Sequence, residues 1–145
     1  MKSKIAEFWD MLCSEDELIQ DEGQCKRKQF FNENTGYFQN VIEELPGEFV
    51  QIYSEINFHD FQILSTSINS SQDKNVAISL YLYDYYSINV NDTKNRLNWA
   101  YDIFERSENN RWIHRIMCSD ANNIVISFSR ISIKQRYLDA AVKKV

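Results

Sequence analysis

Between Leu45 and Ile68 the rhythm of apolar residues changes, and that change limits the folds open to this chain. Up to Ile56 the spacing is helical: Phe49, Ile52, Tyr53 and Ile56 fall at i, i+3, i+4 and i+7, one stripe of an amphipathic helix. Past Asn57 it becomes extended, with Phe61 and Ile63, then Leu64, Thr66 and Ile68, the period of a strand. The same stretch holds the only proline, Pro46, and one of the two histidines, His59. Helices before such a joint and strands after it make an α+β fold. Pro46, His59 and Asp60 are its expected structural junction.

Upstream, Ile5, Phe8, Trp9 and Leu12 form a first helical stripe. Ser14 followed by Glu17 fits a capping box, which predicts a short second helix through Leu18 and Ile19, ended near Gly23 by a left-handed residue. The run Lys26–Lys28 before Phe30 and Phe31 reads as an internal charge partner or a solvated turn, and NENTG (32–36) as a loop. Tyr37–Leu45 and Pro46–Ile56 read as two helices, or one kinked at Pro46, with Pro46 in a first turn.

Downstream, NSSQDKN (69–75) reads as a turn and Val76–Val90 as the strongest strand region. Both of its faces carry bulk, as in a central strand. Arg96–Glu105 fits strand and helix patterns almost equally; its aromatic and β-branched residues favour strand. Trp112–Cys118 and Ile124–Ile133 form a hairpin about DANN (120–123). Leu138, Ala141, Val142 and Val145 predict a C-terminal helix with Lys143 and Lys144 at the negative end of its dipole. The expected architecture is one domain over residues 1–145: N-terminal helices, a mainly antiparallel sheet of about five strands, and the C-terminal helix packed on it. With 145 residues and 43% hydrophobic content the chain is long enough to bury a core without metals or disulfides.

The chemistry-bearing signals are sparse. Three glycines cannot build a glycine-rich phosphate cradle, and no Walker A, GxGxxG, HExxH, GxSxG or EF-hand pattern occurs. Cys13, Cys25 and Cys118 are odd in number, with no CxxC pair, which fits reduced thiols in a cytoplasmic protein. No apolar run is long enough to span a membrane. His59–Asp60 is a conceivable base or metal pair, but neighbours in an extended stretch point to opposite faces, so a structural role is expected. His114, between Trp112 and Ile116, reads as a satisfied sheet histidine. No enzyme activity, metal or cofactor is expected.

Charge is distributed unevenly. Residues 1–60 hold 13 acids against 5 Lys/Arg, net −8, and residues 61–145 hold 8 against 11, net +3. The acids Glu15, Asp16, Glu17, Asp21, Glu22, Glu43, Glu44 and Glu48 are the expected contacts for a basic partner, drawn by long-range steering. The alternative is a single-stranded nucleic-acid-binding module that stacks bases on Tyr81, Tyr83, Tyr85 and Tyr86. It needs a basic groove, which the scattered Arg96, Arg106, Arg111, Arg115 and Arg130 do not suggest.

The stretch LPGEFVQIYSEINFHDFQI, with its Leu-Pro helix start and His-Asp junction, and the later hairpin RWIHRIMCSDANNIVISFSRISI together resemble small immunity proteins. These belong to bacterial polymorphic-toxin systems, contact-dependent growth inhibition among them. The resemblance spans roughly residues 37–133. It implies a cytosolic, non-catalytic inhibitor that binds one cognate toxin domain one-to-one, often a basic nuclease, with no membrane partner and no nucleic acid of its own.

Overall fold

A computed structural model describes residues 2–134 except 57, 60, 71–75, 84–96, 109 and 119–122. The molecule is α+β. Four helices, α1 (Lys4–Leu12), α2 (Glu17–Glu33), α3 (Tyr37–Ile42) and α4 (Gly47–Glu55), precede five strands. The strands are β1 (Gln62–Ser70), β2 (Val76–Tyr83), β3 (Leu97–Arg106), β4 (Trp112–Cys118) and β5 (Asn123–Phe128). The predicted C-terminal helix, the continuation 84–90 and the turn residues 120–122 lie outside the described residues.

α1 is the helix its stripe predicts: Ser3 caps it by accepting from the Ala6 N–H at 3.0 Å, and Ile5, Phe8, Trp9 and Leu12 are buried. α2 departs from expectation. Its N-cap is Asp16, whose Oδ1 accepts from the Leu18 N–H at 2.9 Å, while Ser14 Oγ accepts from the Asp16 N–H. A carboxylate two residues closer to the free N–H groups takes the role assigned to Ser14. The helix then runs through Gly23, and the basic triplet and both phenylalanines become its later turns. Gly23 is a contact, not a terminator. A Cβ there would stand 2.9 Å from Met11 Cβ and 3.1 Å from Leu12 N, so only glycine lets α2 approach the α1 backbone. Pro46 occupies the N-cap position of α4, one residue before the first turn. It is extended (ψ 136°), which ends α3 and lets α4 start afresh.

The strands form two antiparallel ladders, β1–β2 and β3–β4–β5. Among the described residues they meet at Gln62↔Asn98 and Ile63↔Leu97, in the spatial order β2-β1-β3-β4-β5. The strand reading of Arg96–Glu105 holds over its described residues, 97–105. Two expectations do not. β2, read as central, stands at the edge of the sheet among the described residues: bulk on both faces reports composition, whereas position is set by which strands pair. β5 ends at Phe128 rather than Ile133, and Asn69 and Ser70, read as turn, belong to β1.

The β3–β4–β5 ladder is covered on both faces. A bulge between Trp99 and Tyr101 shifts the alternation, so Trp99 joins Phe104 on one side. There they pack with Trp112 and Ile116 under Ile42, Leu45, Phe49 and Tyr53 of the α3–α4 layer. Ile103, with Tyr101 and Met117, packs on the other side under α1 and Phe30 and Phe31 of α2. β4 is accordingly buried at five of its seven positions, which leaves its polar side chains in need of internal partners.

Candidate functional site

The sequence-predicted acids fall into two groups. Glu15 and Asp16 precede α2, and Glu17, Asp21 and Glu22 stand on its first turns. Glu43 and Glu44 follow α3, and Glu48 is in the first turn of α4. All eight are exposed. The two groups belong to helical layers on opposite faces of the β3–β4–β5 ladder, so they are not one patch. Asp16 is committed to its cap, and Glu43 accepts from Gln39 Nε2 at 3.0 Å. Among the described residues none of the eight takes part in an ion pair; the exposed pairs are Lys2–Asp10, Lys4–Glu33 and Lys26–Glu7. α2 therefore carries these acids outward, while two of its basic triplet turn back to the fold: Lys26 reaches Glu7 of α1, and Arg27 lies 4.6 Å over the Tyr101 ring, with Lys28 exposed.

His59 is exposed on the turn after α4, and Asp60 lies outside the described residues. A different His–Asp pair forms inside the fold. Asp102 of β3 and His114 of β4 are diagonal neighbours on the face under α4, with Nε2 2.8 Å from Oδ2. Tyr53 of α4 donates its hydroxyl to the same Oδ2 at 2.7 Å. The imidazole lies nearly flat on Phe104, centroids 3.9 Å apart and planes at 12°. The His114 and Asp102 side chains are 8% and 13% exposed.

This trio ties α4 to two strands through one carboxylate. As chemistry it is closed: the imidazole is held edge-on by Asp102 and covered by Phe104, and Tyr53 spends its hydroxyl on the carboxylate. The missed signal was Asp102 itself, the one charged residue inside the alternating aromatic run Leu97–Phe104. The hairpin turn between β3 and β4, closed by Ser107 N–H to Arg111 O at 2.9 Å with Asn110 at φ 59°, brings His114 opposite Phe104.

The other face repeats the pattern. Arg115 of β4 meets Glu105 of β3, Nη2 to Oε2 3.2 Å, with side chains 10% and 11% exposed. Tyr37 donates to the Phe104 carbonyl at 3.0 Å, and Trp9 Nε1 to Asn123 Oδ1 at 2.7 Å. The basic residues of the sheet are spent internally as well. Arg106 lies over Trp112, Arg111 donates to Ser127, and Arg115 holds Glu105. Of the arginines scattered through residues 96–130, these three are therefore engaged within the fold and Arg130 is exposed; Arg96, Tyr85 and Tyr86 lie outside the described residues.

An open groove of about 380 Å³ between the ends of α1 and α2 is lined by Lys4, Phe30, Tyr37, Glu105 and Arg106 among others. The Tyr53–Asp102–His114 trio is not part of it. Burial, and Asp10 nearby, push the Cys13 thiol up, the reverse of what a nucleophile requires. Among the described residues no three His, Cys, Asp or Glu side chains cluster as metal ligands, and no helix is long and apolar enough to cross a membrane.

The buried phenols give an alkaline signature. Burial first, then the Asp102 charge and its hydrogen bond, raise the Tyr53 hydroxyl far above its ordinary 10.0. Burial and Glu105 raise Tyr37 in the same direction. A phenol whose folded pKa exceeds its unfolded one stabilises the fold fully below the unfolded value and loses that contribution as pH climbs above it. Stability is therefore expected to decline from about pH 10 upward. Tyr53→Phe should make that decline shallower in denaturant titrations repeated across the alkaline range; an unchanged slope would refute the assignment.

Compared with protein-family models, with curated proteins and with solved structures, the chain gives no match.

Proposed function

We propose that this chain is an immunity protein: a non-catalytic inhibitor that binds a cognate basic toxin domain one-to-one in the cytosol and so protects the producing cell. The observation that carries the reading is the division of polar side chains. Buried titratable groups of the sheet are satisfied inside the fold, whereas Glu15 to Glu22 at the start of α2 and the acids of the α3–α4 joint face solvent without ion-pair partners among the described residues. Such carboxylates repel one another in the free protein. A cationic surface relieves that repulsion and is drawn in from a distance. An acidic face also covers what a nuclease would offer to phosphates.

The reading requires a toxic domain encoded beside this gene, and the test is association with that domain, followed by stopped flow at several salt concentrations. The rate should fall as salt rises. Reversing Glu15, Glu17, Asp21 and Glu22 to lysine should lower it by roughly 10- to 1,000-fold at low salt. Asp16 stays in place because its loss would also uncap α2, at about 1 kcal/mol. If the quadruple variant associates as fast as the parent, α2 is not the steering surface. If the parent neither binds the domain nor protects cells expressing it, the immunity reading falls.

A further inference from the structure

We propose that the β1–β2 ribbon is a self-association arm, through which two copies of this chain pair antiparallel along the outer edge of β2. Past its junction with β3 at Gln62 and Ile63, β1 runs on through residues 64–70 paired only with β2 among the described residues. At about 3.4 Å per residue this is an arm of roughly 24 Å. Neither strand, QILSTSINS or VAISLYLY, contains a charge, a proline or a glycine. Charge and proline are devices by which edge strands avoid pairing with another chain.

The apolar face outruns its cover as well. Leu80 and Leu82 pack against the core under α3–α4. Ile68 and Ile78, directly opposite one another farther along the ribbon on the same face, are 72% and 47% exposed. The other edge of the fold is treated differently. β5 is short, Arg111 donates to the Ser127 carbonyl, and Trp9 holds Asn123.

Charge selects the occupant. Residues 61–83 contain one acid and one base, Asp73 and Lys74, in a chain of net charge −5 whose acids concentrate in residues 1–60. Two copies therefore meet with least repulsion arm to arm, whereas a cationic partner is drawn to the helices instead. Pairing across a two-fold axis perpendicular to the sheet uses the same edge of both copies and closes the assembly as a dimer. It places Ile78 of each copy on one shared face, and it leaves the acids of each copy free, so a bound partner would be held two-to-two.

Sedimentation velocity of the full chain over a wide concentration range tests this, with hydrogen exchange on the β2 amides. The parent should dimerise, with β2 amides protected in the dimer. Ile78→Lys should weaken dimerisation by about tenfold or more, since the symmetry puts two lysines into one interface. Ile78→Thr, which keeps strand propensity, should weaken it less and decides the matter if the lysine variant does not fold. A parent that stays monomeric at every concentration overturns the proposal, whether its β2 amides are open or are covered by its own chain. So does a dimer that neither substitution weakens.

Discussion

Replacing Asp102 with alanine is expected to lower the free energy of unfolding by about 3–5 kcal/mol, the usual cost of removing one member of a buried charged network. One oxygen, Oδ2, receives both Tyr53 at 2.7 Å and His114 at 2.8 Å. Its removal leaves a buried hydroxyl and a buried imidazole N–H unpaired at the same moment. Neither can turn to water: His114 is stacked on Phe104, and Tyr53 is wedged against Phe49, Phe58 and Phe104. Tyr53→Phe, by contrast, removes one donor and leaves His114 on the carboxylate, so it should cost about 1.5–3 kcal/mol, the worth of a hydrogen bond to a charged group. Small domains hold only about 5–15 kcal/mol in total, so the alanine variant should melt near room temperature or fold incompletely. Urea titration followed by tryptophan fluorescence reads both, with the midpoint moving and the slope unchanged. Equal costs for Asp102→Ala and Tyr53→Phe would show that Asp102 is not the hub.

How much of this arrangement the residues reveal depends on how far apart the partners lie in the chain. The stripes of α1 and α4 were legible because a helix's buried face repeats within a few residues. Ile5, Phe8, Trp9 and Leu12 are all buried, as are Phe49 and Tyr53. α2 was not legible. Its only buried residue is Gly23, and a glycine that admits a neighbouring backbone looks the same in sequence as one that ends a helix. β2 was assigned a central place because its pattern describes its own two faces and carries no information about its neighbours. The polar core was missed for the same reason. His59 and Asp60 are adjacent in sequence and drew notice, whereas Asp102 lies 12 residues from His114 and 49 from Tyr53. Only the register of the β3–β4 hairpin brings the first pair together, and only the packing of α4 adds the third member. The acids were legible as exposed side chains. That they divide between two helical layers was not, because nothing in a charge run says which face of a sheet its helix will cover.

On the opposite face the expected result has two parts. Arg115→Ala should cost about 3–5 kcal/mol, because it strands Glu105 as a buried carboxylate. Glu105 is 8% exposed, and the Tyr37 hydroxyl near it carries no charge to replace the guanidinium. Removing both charges together, as Glu105→Leu with Arg115→Met and each of these alone as the other corners of the cycle, should recover most of the stability or exceed the parent by about 1–4 kcal/mol, since two charges then no longer have to leave water. A double-mutant cycle in urea measures the coupling; a double variant as unstable as Arg115→Ala would show that shape, not charge, holds the site. The consequence reaches the binding surface. Ile103, two residues before Glu105 on β3 and opposite Arg115 on β4, packs under α1 and the end of α2, so the layer bearing Glu15 to Glu22 rests on this part of the sheet. Arg115→Ala should therefore loosen α1 and α2 before α4, seen as earlier hydrogen exchange in residues 4–33, whereas Asp102→Ala should loosen α4 first. The two buried networks thus anchor separate helical layers, and each variant tests which acidic group a partner requires.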